Sequence, residues 1–391
     1  MNKSSFARPV LLACAALCAQ AWAADPATFD IAGVVSFSGP YGITGTDMKR
    51  GVELAVEHRG GRVLGKPVRM MWEDDETKAQ VAVQKATRLV GDGAQMIFGA
   101  VASGSTLALQ TLSDQRKVPL LVTVSADDKI TRRDGSRYTF RTSNNINMEL
   151  RMAAEFAREA KLKKVYGVVV DVGVGRDAWE TFVKYAAQSG IQIAGVDFMP
   201  IGTRDFAVAI DKIAKSDADG VNVLLFGNDA VTYLKQAAQV NLGKSKVQFG
   251  GSALMDETAA AAVGSGAVGA NSLVRYHFSV DNPANKKFVE AYRAKYNEWP
   301  SSHAGEAYDG MSWWLDTVDA TKSWDREKWV AAFEKSVREN SLEGRKTMRS
   351  CDHQAAQPGL WGVVAEGKAP LPALTIKVNR TFPADRLFDP C

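Results

Sequence analysis

The stretch that decides the fold is GAVASGSTLALQTLSDQRKVPLLVTVSADDKIT, which runs from Gly99 to Thr131. It contains two polar loops, and each follows a short apolar run typical of a buried strand, first at 96–98 and then at 119–123. Leucines at helical spacing between the two runs predict a helix that begins near Ser103. This order of elements is typical of a parallel α/β sheet. The polar loops are therefore expected at strand ends, where such sheets bind ligands.

The residues of these two loops suit a negatively charged ligand. Hydroxyl groups and free backbone N–H groups can donate to a carboxylate, and the start of a helix adds the positive end of its dipole. Gly104 lets a ligand approach the main chain closely, because it has no side chain. The candidate ligand-binding residues here are Ser103, Gly104, Ser105, Thr106, Ser125 and Ala126. The alternative is that Ser103 or Ser105 only caps the helix.

Outward from this stretch, strands and helices alternate in two consecutive series. The first covers 29–141, and the second begins near 145 and ends at the loop 250–253. Unbroken alternation predicts a parallel sheet covered by helices on both faces. Two such series predict two lobes with a cleft between their strand ends. Beyond residue 277 the chain is predicted to be mostly helical, with helices at 303–321 and 325–339. Two late strands are predicted at 360–364 and 374–378.

The N-terminus has the composition of an export signal. Lys3 and Arg8 precede a short apolar run, and residues 21–23 match a cleavage site with small flanking residues. We therefore predict a signal peptide over 1–23 and a periplasmic mature protein. A lipid anchor at Cys14 stays open as an alternative.

Two cysteines remain in the predicted mature chain, Cys351 and Cys391. An exported protein folds in an oxidising compartment, where a pair of cysteines is expected to form a disulfide. The bridge would close a loop of about 40 residues and stabilise the fold by roughly 4 kcal/mol. The alternative is two free thiols.

Composition and motif spacing argue against several classes of function. The net charge is +4 and no block of Lys or Arg stands out, so nucleic acid is not an expected partner. The four histidines show no metal-ligand spacing, and no glycine-rich phosphate loop follows a predicted strand. We find no nucleophile–base pair in the sequence. No catalytic residue, metal or cofactor is therefore predicted.

Several short motifs occur in a specific order along the chain. They are Ser38-Gly39-Pro40, Asp74-Asp75, Ala102-Ser103-Gly104-Ser105-Thr106, Ser125-Ala126, Gly175-Arg176-Asp177, Asp205-Phe206, Gly227-Asn228-Asp229, Tyr308-Asp309-Gly310 and the tail Arg349-Ser350-Cys351-Asp352-His353-Gln354. Each motif alone is weak, but their order and spacing together are specific. On these motifs the mature chain resembles the periplasmic solute-binding proteins of branched-chain amino-acid-type ABC transporters, a leucine-binding-protein-like family with the type I periplasmic binding fold.

The resemblance implies a fold and a division of the chain. The fold would be α/β, with two Rossmann-like lobes whose parallel sheets are flanked by helices. A three-crossing hinge would join the lobes around an interlobe ligand cleft, which closes like a Venus flytrap. The N-terminal lobe would comprise 24–143 with 277–358, and the C-terminal lobe 144–276 with 359–391. In such relatives the serine at the position of Ser103 donates backbone and hydroxyl hydrogen bonds to the ligand's carboxylate.

The resemblance also implies a function, that of an extracytoplasmic substrate-binding component of an ABC uptake transporter. The protein would bind a small carboxylate-bearing solute and deliver it to an inner-membrane permease. It would catalyse no reaction and act as a monomer. The alternative is a periplasmic ligand-sensing module of the same fold that signals to a regulator.

Two positions depart from the amino-acid binders of this family. Ser252 stands where those binders have a glutamate that faces the ligand's ammonium group, and Val174 stands where they tend to have an aromatic residue. A buried ammonium group without a carboxylate partner is costly. An aromatic or aliphatic organic acid therefore fits at least as well as an amino acid.

The remaining candidates border the predicted cleft from both lobes. Tyr41 and Thr44, in the first loop, would border the end of the ligand away from its carboxylate. Asn228 and Asp229 follow a predicted strand of the second series. Asp229 is equally compatible with the N-cap of a helix predicted over 230–240, an alternative that the sequence leaves open.

Overall fold

A computed structural model describes residues 25–132, 135–225, 227–250, 257–388 and 391. The predicted signal peptide and the candidate Ser252 lie outside the described residues. The strands are β1 (Phe29–Val35), β2 (Arg62–Val63), β3 (Lys66–Asp74), β4 (Met96–Gly99), β5 (Leu120–Val122), β6 (Thr139–Arg141), β7 (Lys164–Val170), β8 (Gln192–Met199), β9 (Gly220–Leu224), β10 (Val247–Gly250), β11 (Asn271–Val274), β12 (Val337–Arg338), β13 (Lys346–Met348), β14 (Ala355–Ala356), β15 (Gly359–Glu366) and β16 (Leu374–Phe382). The helices are α1 (Gly42–His58), α2 (Ala79–Gly91), α3 (Ser103–Arg116), α4 (Ile146–Glu159), α5 (Gly173–Gln188), α6 (Ala207–Lys215), α7 (Gly227–Gln239), α8 (Glu257–Val263), α9 (Pro283–Tyr296), α10 (Ser302–Thr321) and α11 (Arg326–Phe333).

The first sheet has the strand order β2-β3-β1-β4-β5-β6 and is parallel from β3 to β6. Every residue of β1 is buried, as expected for a strand with helices on both faces of its sheet. One face packs against α1 and α10 through a core that includes Phe98 and Trp314. The other face packs against α2 and α3 through smaller side chains such as Ala82 and Leu109.

The second sheet has the strand order β16-β15-β11-β10-β9-β7-β8. It is parallel from β8 to β11, and β15 and β16 extend it as antiparallel strands. Helices α6, α7 and α8 cover one face and helices α4 and α5 cover the other. The predicted α/β fold of two helix-flanked lobes is confirmed. The antiparallel pair is the one departure from parallel pairing within this sheet.

The chain passes between the two sheets three times, at 142–145, 275–282 and 357–358. The first and third crossings contact each other, since Gln357 Nε2 donates to Asn144 Oδ1 at 2.6 Å. Beside them, Gln354 Nε2 donates to the carbonyl oxygen of Ser143 at 2.6 Å. The predicted three-crossing hinge is confirmed, and the residue boundaries of the two lobes stay a prediction.

A small sheet of β12, β13 and β14 stands between the late helices and β15. It was not predicted, and the helix predicted over 325–339 is too long, because α11 ends at Phe333. Strands of two or three residues show no periodicity in a sequence. They are held here by tertiary contacts, because Met348 and Ala355 join the core of the first lobe and Gln354 bridges to Arg141.

Cys351 and Cys391 form the predicted disulfide, with their Cα atoms 5.9 Å apart. The bridge joins the loop between β13 and β14 to the chain that follows β16. Among the described residues, no helix combines the length and the apolar character that a membrane span requires.

Candidate functional site

Each large sheet has a point at which the strand order reverses. In the first sheet β1 lies between β3 and β4, and in the second β7 lies between β8 and β9. At such a point the loops at the carboxyl ends of adjacent strands diverge and leave a crevice for a ligand. The predicted residues lie in these loops or in the first turns of the helices that follow them: Tyr41, Thr44, Ser103, Gly104, Ser105, Thr106, Val174, Asn228 and Asp229.

The N-terminus of α3 is open to a ligand. The residue before the helix is Ala102, and no side chain of the described residues accepts a hydrogen bond as its cap. The interpretation of Ser103 or Ser105 as the helix cap is therefore wrong. Gly104 is exposed, and a Cβ atom there would meet only open space. The first N–H groups of the helix and the positive end of its dipole are thus available to an anion.

Ser103 and Ser105 add two hydroxyl groups at this helix terminus. Ser105 is 2% exposed, and its Oγ has no hydrogen-bond partner within the described part of the chain. An unpaired buried hydroxyl is unfavourable, so a ligand oxygen that pairs with it is stabilised. The Ser103 Oγ accepts a hydrogen bond from the Asp127 N–H at 3.3 Å. Its own proton remains available to donate.

The hydroxyl groups of Thr106 and Ser125 join the two loops to each other. Their Oγ atoms lie 2.5 Å apart, and both residues are buried. The Ser125 Oγ also lies 2.9 Å from each of the carbonyl oxygens of Ala100 and Val101. These hydroxyls are engaged within the protein, and a part for Thr106, Ser125 and Ala126 in ligand binding stays a prediction.

The close approach of β1 and β4 depends on one glycine. Gly99 pairs with Val34 in the sheet and has a φ of +140°. A Cβ atom on Gly99 would lie 2.0 Å from the carbonyl oxygen of Val34. Only glycine can occupy this position, and it brings the loops after the two strands together.

Arg141 supports the loop after β5 through its carbonyl oxygens. The residue is fully buried, and its Nη1 donates to the carbonyl oxygens of Ser125 at 3.0 Å and Asp127 at 2.6 Å. Its Nη2 donates to Thr131 Oγ1 at 2.6 Å. Burial, and then repulsion from Arg275, lowers the pKa of Arg141 to about 9. The role of Arg141 is not visible in the sequence, because hydrogen bonds to backbone carbonyl oxygens leave no pattern there.

Arg275 reaches the same loop from the second crossing. Its Nη1 donates to the carbonyl oxygen of Val124 at 2.7 Å, and its Nη2 lies 2.7 Å from Oε1 of Glu149, on α4. Burial opposes the charge of Arg275, but attraction to Glu149 and Glu306 outweighs burial and raises its pKa. Its carbonyl partner lies 151 residues away in the chain, so only the folded structure identifies this contact.

The loop after β1 places Tyr41 and Thr44 at the start of α1. Tyr41 immediately precedes the helix and is 43% exposed, and Thr44 is partly exposed. Asp74, at the end of β3, shapes this loop, because its Oδ1 accepts from the N–H groups of Phe37 at 2.9 Å and Ser38 at 3.3 Å. The Asp74 carboxylate is therefore a strand-end cap, and ligand contacts of Tyr41 and Thr44 stay predictions.

The second lobe presents its candidates at the ends of β7 and β9. Val174 lies at the start of α5 and is 61% exposed, and Asn228 is exposed in the first turn of α7. The Asp229 Oδ2 accepts from the Gly202 N–H at 2.9 Å. Because α7 begins before Asp229, the interpretation of this residue as the N-cap is wrong. Ligand contacts of Val174, Asn228 and Asp229 stay predictions.

The groups that converge at the start of α3 are hydrogen-bond donors. Hydroxyl protons and backbone N–H groups of this kind bind an anion, and charge-assisted hydrogen bonds of this type are the strong ones. Across the described ranges, no group of three or more His, Cys, Asp and Glu side chains is arranged to hold a metal ion.

The sequence matches the family described as periplasmic binding protein over residues 28–369, which is most of the chain. The chain belongs to the periplasmic binding protein family. Leu/Ile/Val-binding protein homolog 6 from Brucella melitensis is 29% identical over 324 residues, which cover 79% of this chain and 81% of the relative. The resemblance to leucine-binding-protein-like members of the family is confirmed.

Solved structures of this family share the fold. A solute-binding protein of an ABC transporter from Rhodopseudomonas palustris, in complex with 4-hydroxybenzoate, is 25% identical with a TM-score of 0.81, over 91% of this chain and 97% of that chain. A branched-chain amino acid ABC transporter periplasmic ligand-binding protein from Burkholderia xenovorans has a TM-score of 0.87 at 21% identity, over 92% of this chain and 97% of that chain. The second likeness shows the fold alone.

Periplasmic binding proteins of this type are solute-binding proteins, not enzymes. Membership therefore confirms the prediction that the chain is not an enzyme, and it implies a periplasmic location.

Proposed function

We propose that this periplasmic binding protein is the extracytoplasmic substrate-binding component of an ABC uptake transporter. It binds a small carboxylate-bearing solute between its lobes, with the carboxylate at the N-terminus of α3. Ser103, Gly104 and Ser105 donate to the carboxylate through backbone N–H groups and two hydroxyls. The protein acts as a monomer and delivers its solute to an inner-membrane permease.

The observation that carries this proposal is the open terminus of α3 beside the buried Ser105 hydroxyl, which has no hydrogen-bond partner among the described residues. Each hydrogen bond to a charged group contributes about 1.5–3 kcal/mol. A few such bonds with modest apolar burial reach the roughly −8 kcal/mol of a micromolar complex. A carboxylate suits this site better than a phosphate, because no glycine-rich phosphate loop surrounds it.

Two classes of carboxylate are consistent with the relatives. One relative is named a Leu/Ile/Val-binding protein homolog, and another was solved with 4-hydroxybenzoate. Ser252 in place of the glutamate of amino-acid binders favours an organic acid without an ammonium group. Exposed Tyr41 and Val174 supply apolar surface for the body of such a ligand.

A thermal-shift screen of the mature protein tests the proposal. The probes are benzoate, 4-hydroxybenzoate, leucine and a set of aliphatic organic acids. A ligand at 100 times its Kd stabilises the fold by about 2.7 kcal/mol, which raises the Tm by several degrees. The absence of any shift across this panel would contradict the proposal.

Titration calorimetry on Ser103→Ala then tests the site. Loss of a hydroxyl bond to a carboxylate should weaken binding about tenfold or more. The matched control is Thr111→Ala, which removes an exposed hydroxyl from the same helix two turns further along. Equal Kd values for the two variants would show that the carboxylate does not bind at this terminus.

A further inference from the structure

Glu306 is a buried residue whose carboxyl group finds no hydrogen-bond partner in the part of the chain that the structure describes. It is 1% exposed, and neither of its oxygens has a hydrogen-bond partner among the described residues. Its nearest opposite charge is Arg275, whose Nη1 is 3.9 Å from Glu306 Oε2. That distance is too long for a hydrogen bond. Arg275 instead directs its donors to Val124 and Glu149.

Glu306 lies where α10 passes the carboxyl end of the first sheet. A Cβ atom on Gly310 would lie 2.7 Å from Cγ2 of Thr123, the residue that follows β5. Glu306 lies one helical turn before Gly310. The guanidinium of Arg275 lies near Glu306 and donates to the carbonyl oxygen of Val124, the residue that follows Thr123. His303, closer still to the start of α10, is partly exposed. The first turns of α10 therefore extend beyond the strand ends, beside the loop that holds Ser125.

We propose that Glu306 is a specificity-determining residue of the cleft, which hydrogen-bonds a hydroxyl group on the ligand. This inference rests on the proposed function and deepens it. It assigns the ligand to the hydroxylated organic acids, because a hydroxyl group satisfies a carboxyl group that has no hydrogen-bond partner among the described residues.

The charges around Glu306 favour a hydroxyl group over an ammonium group. Burial, only partly opposed by Arg275, raises the pKa of Glu306 to about 8, so the group is mostly neutral at pH 7. Burial and then Arg275 lower the pKa of His303 to about 4, so its imidazole is neutral as well. A ligand ammonium group would approach the Arg275 cation, and the Glu149 carboxylate beside it is already paired with Arg275. A hydroxyl group can both donate to and accept from a neutral carboxyl group.

Benzoate and 4-hydroxybenzoate differ by one hydroxyl group, so the ratio of their Kd values isolates this contact. The wild-type protein should bind 4-hydroxybenzoate about tenfold or more tightly than benzoate. Glu306→Leu should bring the ratio close to one, whereas Glu306→Gln, which keeps an acceptor and a donor, should retain most of the preference. The control is Glu290→Leu, which removes an exposed carboxylate on α9 and should leave the ratio unchanged.

A purely structural role of Glu306 gives a different result. If Glu306 only supports Arg275, Glu306→Leu would lower the Tm or weaken the binding of both ligands equally. The ratio of the two Kd values would then stay unchanged, and that result overturns the inference. Equal affinity of the wild type for both compounds also overturns it but leaves the proposed carboxylate site standing. Binding of neither compound overturns the inference as well, and the rest of the carboxylate panel then decides on the proposed function.

Discussion

Replacing Lys346 by methionine should destabilise the first lobe strongly, because it removes an ammonium group that is buried between two carboxylates. Lys346 is fully buried, and its Nζ lies 3.0 Å from Asp309 Oδ2 and 3.0 Å from Glu343 Oε2. It also donates to the carbonyl oxygen of Thr142, in the first crossing, at 3.4 Å. The substitution keeps an unbranched side chain that is one atom shorter, and it removes the charge and the hydrogen-bond donors.

The expected magnitude follows from the two partners left behind. Removing one member of a buried ion pair costs about 3–5 kcal/mol, because the other charge stays buried without compensation. Asp309 keeps Arg338, whose Nε donates to its Oδ1 at 2.6 Å, but Glu343 loses its only ion-pair partner among the described residues. We expect the free energy of unfolding to fall by about 4 kcal/mol at pH 7.

The deficit should also depend on pH. Burial raises the pKa of Asp309, but Lys346 and then Arg338 outweigh burial and hold it at about 2, below the ordinary 3.8. Ionised Asp309 therefore stabilises the fold above about pH 4, and this contribution is lost as the pH falls through the pKa of Asp309 in the folded state.

Glu343 gives the opposite dependence at higher pH. Burial raises the pKa of Glu343 against the attraction of Lys346. Without Lys346 that pKa rises further, so the stability of the variant declines more steeply as the pH rises. The deficit should be about 1 kcal/mol larger at pH 8 than at pH 5.

Urea unfolding at pH 5, 7 and 8, followed by tryptophan fluorescence and circular dichroism, measures the deficit. The control is Lys49→Met, which removes a lysine from a surface pair with Glu53 on α1, at 2.6 Å. That pair contributes only about 0.3–0.5 kcal/mol. A loss below about 1 kcal/mol for Lys346→Met, or one that shrinks towards pH 8, would refute the reasoning.

Two further substitutions test the frame around the site. Cys351→Ser should lower the free energy of unfolding by about 4 kcal/mol, because the disulfide to Cys391 closes a loop of about 40 residues; a reducing agent should lower the Tm of the wild type and leave this variant unchanged. Gly99→Ala should cost about 2–5 kcal/mol, because a Cβ atom would meet the Val34 carbonyl oxygen at a strained φ. Gly91→Ala, at a helix end with open space, is the matched control, and equal stability of the two alanine variants would contradict the assigned close approach.

The sequence predicts the helix at the site because the features involved are local. The apolar run before Gly99, the polar loop and the leucines after Ser103 occupy one short stretch, and α3 begins at Ser103 as expected. The late sheet of β12, β13 and β14 was missed for the opposite reason. Its strands are two or three residues long, and their pairing depends on the core contact of Met348 and on the bridge from Gln354 to Arg141.

Some features of the candidate site are likewise visible in the sequence, and others are visible only in the structure. The residues at the start of α3 are visible in the sequence, because a glycine and hydroxyl residues after a buried strand are typical of an anion site. Which hydroxyls remain available is not visible there. Ser125 and Thr106 bond to each other across the two loops, whereas Ser105 has no partner within the described residues. These outcomes depend on distances between separate strand ends.

By itself the sequence determined the alternation of strands and helices, the polar loops at the strand ends and the membership of a solute-binding family, because each of these depends on residues close together in the chain or on motifs in a specific order. Only the folded chain shows that Arg141 and Arg275 support the loop after β5, and that Glu306 is buried beside that loop with no hydrogen-bond partner among the described residues. The physical reason is that a buried polar group must find its partner wherever the fold places one. For Arg275 that partner is a carbonyl oxygen 151 residues away.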